Sequence, residues 1–173
     1  MAAVVDVQEG NGAAVTWNLV TAARFCTADD PAPAATNPIP IPAAGTNRSY
    51  WKSHAIAFSG AFTNVTNVKI YTDGVGFGSG CIEYIGVETL TLAQYAQATG
   101  TPGTTGNEMV ASHANIASKQ LLFAFTSTSP KTVDAGPITS GRCKHVVTQL
   151  DVDPTAAAGT KTAETITWRY DET

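Results

Sequence analysis

The side chains able to do acid–base or nucleophilic chemistry are few and scattered. The three histidines occur in Ser53-His54, Ser112-His113 and Lys144-His145. A hydrolase needs a nucleophile, a base and a group that orients the base. Neighbours along a strand point to opposite faces, so the two Ser-His dipeptides argue against a Ser–His pair. No Gly-x-Ser-x-Gly elbow is present. Carboxylates pair at Asp29-Asp30 and at Asp151/Asp153, each pair followed directly by proline. A glycosidase sets two carboxyls across a cleft; these pairs read first as turns. Asp151 and Asp153 share a face at a strand end and, with loop carbonyls, could hold Ca²⁺. The plainer expectation is a solvated strand end. No catalytic residue, cofactor or metal site is expected.

Two further features invite chemistry. The run Gly74-Val75-Gly76-Phe77-Gly78-Ser79-Gly80 follows a strand, as a phosphate-binding loop would. What comes next, CIEYIGVET, is strand-like, so the helix N-terminus that completes such a cradle is missing, and no Gly-Lys-Ser/Thr follows. The run is expected to be a turn. Cys26, Cys81 and Cys143 are distant from one another and odd in number. Buried thiols are expected, with one disulfide plus a free thiol as the other arrangement. No CxxC or HxxxH spacing supports zinc. Trp17, Trp51 and Trp168 could form a sugar-stacking platform, but each sits in an alternating strand where core packing is expected. Trp51 is the ambiguous one, because Tyr50 competes for the inward face.

The elements that would position these residues are strands. Residues 14–21, 49–59, 65–72, 81–89, 121–126, 144–152 and 164–171 carry β-branched and aromatic residues between Gly/Pro/Asn-rich turns. Residues 60–64 suggest a hairpin joining 49–59 to 65–72. The clearest unit pairs 144–152 with 164–171, placing Val146, Leu150 and Val152 opposite Ile166, Trp168 and Tyr170. One short helix is expected after Thr91, with Gln94 completing a capping box, a Leu92/Tyr95/Ala96 stripe and Gly100 as its stop. Residues 107–118 remain ambiguous. The expectation is all-β: an antiparallel β-sandwich of jelly-roll or immunoglobulin-like kind, with one short helix and long loops. A closed barrel is the alternative. The length of 173 residues suits a single domain over 1–173.

Composition narrows the function. Charged residues are 14% of the chain, against roughly 25% in ordinary soluble domains. Neutral polar surface suits a protein that buries much of its exterior against neighbours. The net charge is −4 and the basic residues are scattered, which opposes nucleic-acid binding through phosphates. No apolar run is long enough for a membrane span. The first seven residues lack a secretory signal pattern, so a cytosolic origin is expected.

The segment 29–45, DDPAPAATNPIPIPAAG, holds five of the nine prolines. Proline removes a backbone donor and sets φ, so an extended, polyproline-like loop or arm is expected. It would either cross the end of its own sandwich or pack on a neighbouring subunit. Pro38, Ile39, Pro40, Ile41 and Pro42 are the subunit-contact candidates, with residues 1–12 as a second contact. Deleting 1–12, or changing Ile39 and Ile41 to Ser, is expected to weaken assembly without unfolding the domain.

Two stretches, GTNRSYWKSHAIAFSGAFTNVTNVKIYTDG (45–74) and ETITWRYDET (164–173), resemble virion structural proteins of tailed bacteriophages and related environmental viruses. The resemblance implies a capsid decoration or cement protein, or a related head or tail component. It also implies partnership with the major capsid protein or other virion proteins, homo-oligomers such as trimers, and a place in the virion after assembly in the host cytoplasm. It assigns no functional residue. The competing expectation is a carbohydrate- or surface-binding β-module of fibre or adhesin type.

Overall fold

A computed structural model describes residues 2–31 and 36–173. Part of the proline-rich segment, 32–35, lies outside the described residues. The strands are β1 (Val4–Asn11), β2 (Thr16–Leu19), β3 (Asn47–Arg48), β4 (Lys52–Ser59), β5 (Val65–Thr72), β6 (Cys81–Gly86), β7 (Gly100–Thr101), β8 (Thr105–Gly106), β9 (Lys119–Leu121), β10 (Lys131–Asp134), β11 (Gly141–Arg142), β12 (Val146–Val152) and β13 (Ile166–Glu172). A one-turn helix, α1 (Met109–Ser112), and two 3-10 turns are the helical parts among the described residues. The chain is all-β with antiparallel sheets, as its alternating patterns require.

The large sheet runs β2-β1-β4-β12-β6-β9, with β11 also on β4 and β3 on β12. A smaller sheet runs β10-β5-β13, and β7 and β8 form a separate ribbon. The two main sheets face each other across one core. Ile56, Phe58, Ile85 and Val146 from the large sheet meet Val65, Val68, Ile70 and Val133 from the small one. Ile166, Trp168 and Tyr170 of β13 pack against that core. A second cluster, including Trp51, Leu90, Met109, Ile116 and Val147, covers the opposite face of the large sheet. No described helix is long and apolar enough to cross a membrane.

Several pairings differ from expectation, and the reason is common to them. Alternation identifies the buried face of a strand but not its neighbour. The strand at 144–152 does not pair with the one at 164–171. β12 lies between β4 and β6, while β13 pairs with β5, placing Trp168 opposite Ile70. Burial tells them apart: residues 146–150 are all buried, the mark of a central strand covered on both faces, whereas β13 is only half-buried. Trp168 and Val146 do share a core, but across the sandwich; Leu150 belongs to another cluster. Likewise β4 and β5 are not a hairpin. The turn at Gly60, with φ +84°, carries the chain from one sheet to the other.

The N-terminal residues are not a free arm. β1 is an interior strand between β2 and β4, so deleting 1–12 would remove part of the sheet and not merely a contact. The Thr91 capping contact forms, with its backbone N–H donating to Gln94 Oε1 at 2.9 Å. It caps only the three-residue 3-10 turn Leu92–Gln94. The apolar run at 121–126 leaves the sheet after Leu121 and becomes the second 3-10 turn, Leu122–Ala124. Its apolarity serves core packing by Leu122 and not strand pairing.

Candidate functional site

Two glutamates are buried on the inner face of the large sheet, and only one of them has polar partners. The register of β1 on β4 sets Glu9 opposite His54. Lys52, two residues from His54, shares that face. Glu9 and Lys52 are almost fully buried, at 0% and 1% exposure. Lys52 Nζ donates to Glu9 Oε1 at 2.8 Å and to the Asp30 carbonyl at 2.7 Å. Asn11 Nδ2 donates to Glu9 Oε1 and to Asp29 Oδ1, both at 2.9 Å. His54 Nε2 stands 3.3 Å from Glu9 Oε2. Burial would raise the pKa of Glu9, but the His54 and Lys52 contacts together outweigh it and hold the carboxyl below the usual glutamate value.

This cluster fastens the start of the proline-rich segment. The Asp29 carboxylate also accepts from the Gly12 N–H at 2.8 Å and from Gln97 Nε2 at 2.9 Å. Further along, the Thr27 N–H donates to the Asn37 carbonyl at 2.9 Å. Asn47 Nδ2 donates to the Pro40 carbonyl at 2.8 Å. Between these ties the contact candidates divide. Pro38 and Pro40 are exposed and Pro42 is half-buried. Ile39 packs with Cys81, Leu150, Val152 and Ala156 of its own domain, whereas Ile41 stays 39% exposed.

The second glutamate has no such company. Glu83 lies opposite Leu150 on β12 and is 2% exposed. Neither carboxyl oxygen has a hydrogen-bond partner. Burial pushes its pKa up to about 8, and the Glu164 charge adds to the rise, so it is protonated at neutral pH. Its strand is open on one side: β9 meets β6 only at residues 84–86. Where β9 turns away, a cleft of about 350 Å³ forms, with Gly74, Gly76, Ile82, Glu83, Leu121 and Phe123 among its walls. The glycine run is thus a turn, and it also forms one wall of this cleft.

No known protein family, curated protein or solved structure matches this chain.

The remaining candidates are placed as follows. Ser53 and His54 point to opposite faces of β4, and no hydrogen bond joins either Ser-His dipeptide among the described residues. His145 is fully buried between Trp17 and Tyr95, with ring centroids 5.6 and 6.4 Å away, and burial pushes its pKa down to about 4. Asp151 meets Lys119 at 3.2 Å and Arg48 at 3.4 Å. Asp153 caps its own turn, accepting from Thr155 N–H at 2.7 Å. Among the described residues no cluster of three or more His, Cys, Asp or Glu side chains is placed to hold a metal. The three cysteines are buried and unbridged. Cys143 Sγ accepts the Ile56 N–H at 3.2 Å, and burial raises its thiol pKa to about 12. Trp51 is 3% exposed and donates through Nε1 to the Ala96 carbonyl.

Neither glutamate was singled out from sequence, yet both carry the same signal. Glu9 is in phase with Val5 and Val7, and Glu83 with Cys81 and Ile85. A charge on the apolar face of an alternating strand must be paired or neutralised. The pattern does not say which.

Proposed function

We propose that this chain is a structural protein of a virus particle, decorating and stabilising the outer capsid through contacts with the major capsid protein or other virion proteins and with copies of itself. The observation that carries this reading is the outer side of the proline-rich segment. Pro38, Pro40 and Ile41 face outward on a backbone tied down at Asp29, Asp30, Asn37 and Pro40. A segment held in place before docking loses little entropy on binding. Low surface charge lowers the cost of covering the remaining exterior. Repeated over a particle, many modest contacts sum to strong cementing. A carbohydrate-binding module would instead need an exposed aromatic platform, and Trp51 lies in the core.

The placement of the two isoleucines sharpens the test. Ile39→Ser removes a core contact and is expected to destabilise the chain by about 2 kcal/mol or more. Ile41→Ser should change stability by no more than about 0.5 kcal/mol. Purified Ile41→Ser added to capsids lacking this subunit is expected to reach lower occupancy than wild type. Full occupancy would contradict the proposal.

A further inference from the structure

We infer that Lys52 and Asn11 join through a side-chain isopeptide bond, with Glu9 Oε1 as the proton carrier between their two nitrogens. The inference is independent of the capsid reading, and it gives the buried cluster a role beyond fastening the proline-rich segment. Geometry carries it. The register that sets Gly10 opposite Ser53 brings Asn11, one residue on, opposite Lys52. Residues directly opposite in an antiparallel pair have Cβ atoms about 4.5–5.5 Å apart, within the span of a lysine stem. Lys52 Nζ and Asn11 Nδ2 both donate to one atom, Glu9 Oε1, at 2.8 and 2.9 Å. His54 Nε2, 3.3 Å from Oε2, stands at the other oxygen. Lys52, Glu9 and Asn11 are 1%, 0% and 7% exposed, so water, the competing nucleophile, is kept out.

The choice of acyl group follows from the partners of Lys52. Burial opposes ionisation of Glu9, but the His54 and Lys52 contacts outweigh it. Glu9 is therefore a carboxylate, which makes it a base and a poor electrophile. The Asp30 oxygen, 2.7 Å from Nζ, belongs to the main chain. Asn11 carries a neutral side-chain amide, and its Nδ2, the atom that must leave, already faces the proton carrier. Asp29 Oδ1 accepts from the same nitrogen at 2.9 Å and fixes the amide plane. Asn11 Oδ1 is buried without a donor, so no hydrogen bond holds the carbonyl as its carbon becomes tetrahedral. Attack needs Nζ about 3–3.5 Å from that carbon, and the flexible lysine stem supplies the approach with both strands fixed.

The step balances without an oxidant or a co-reactant. Lys52 Nζ gives a proton to Glu9 Oε1 and, as the neutral amine, adds to Asn11 Cγ. The Cγ–Nδ2 bond breaks and Glu9 passes the proton to the departing nitrogen. The new amide nitrogen sheds a second proton, which the ammonia carries away as ammonium. One ammonium is consumed, one is released, and Glu9 ends as the carboxylate it began as. The bond ties β1 to β4 and closes a loop that contains β2 and the proline-rich segment. A rival reaction starts from the same amide: the Gly12 nitrogen can close on Asn11 to a succinimide, also with loss of ammonia. In the fold that N–H is engaged with Asp29 Oδ2 at 2.8 Å.

Mass spectrometry of the folded, purified chain tests this. The expected intact mass is about 17 Da below that of the sequence, the ammonia lost. Trypsin should no longer cut after Lys52, and tandem spectra should show a branched peptide joining residues 1–24 to 49–69. Glu9→Gln keeps the shape of the side chain but removes the proton carrier, and should lower the cross-linked fraction by about tenfold or more. Lys52→Met should abolish the branched peptide, with circular dichroism checking that each variant is folded. An unchanged mass in folded wild type after prolonged incubation at neutral pH would overturn the inference. So would an ammonia loss confined to the peptide holding Asn11, which is the succinimide, or a full cross-link in folded Glu9→Gln. The wild-type mass and branched peptide decide the matter even where a variant does not fold.

Discussion

Glu9 and Glu83 begin alike and end differently. The strand registers place both on the same face of the large sheet, the face carrying Ile56, Ile85 and Val146. Each follows an apolar alternation and each is out of solvent. Glu9 meets an ammonium, an amide and an imidazole within 3.3 Å. Glu83 meets no hydrogen-bonding partner. One carboxyl is therefore held charged and ties the N-terminal strand to the proline-rich segment. The other is held neutral beside a cleft. A buried charge with a full set of partners reads as structure. A buried acid without partners stays neutral and leaves its carboxyl unsatisfied.

The sharpest way to break this contrast is to remove a partner from the complete set. Glu9→Ala leaves the Lys52 ammonium buried without its counter-charge. It should cost about 3–5 kcal/mol in urea unfolding at neutral pH, the usual penalty for an orphaned buried ion. A loss below about 1 kcal/mol would mean that the cluster does not hold the sheet and the segment together.

A smaller effect distinguishes the two acids by sign. For Glu83 the folded pKa, about 8, lies above its unfolded value of 4.5. The folded state keeps a proton that the unfolded state gives up, so this residue lowers stability as pH rises from the unfolded value towards the folded one. The folded pKa of Glu9 is lowered, so its contribution is present above 4.5 and disappears only as pH falls through its folded value. Relative to Glu83→Gln, wild type should lose about 1.4 kcal/mol of stability for each pH unit across this window. Parallel stability curves for the two proteins would remove the distinction. Ile41→Ser, with its near-zero expected effect on stability, is the smallest of these tests and separates surface contact from fold.

Much of the fold was legible because burial imposes a period of two on strands. The inward faces of β12 and β13, the turn at Gly74 to Gly80, and the all-β class follow from that rule. The neighbours were not legible, because β12 and β13 show the same alternation although they lie in different sheets. β1 was overlooked because Glu9 interrupts its apolar face; the partners that make this tolerable, Lys52 and His54, are more than forty residues away. For the same reason the candidate site escaped the sequence. Glu83 is distinguished by what is missing around it, and absence of a partner is a property of the folded chain alone. In the proline-rich segment the alternation of Ile39 and Ile41 was visible, but not that one would turn inward and the other outward.

The contrast at the centre of this account can be measured in one experiment. Side-chain carboxyl resonances of ¹³C-labelled glutamate, followed from acid to alkaline pH in the intact protein, report each residue separately. The account predicts that Glu83 titrates near 8 while Glu9 has already ionised below the ordinary glutamate value. A Glu83 that titrates near the ordinary glutamate value of 4.5 would contradict it.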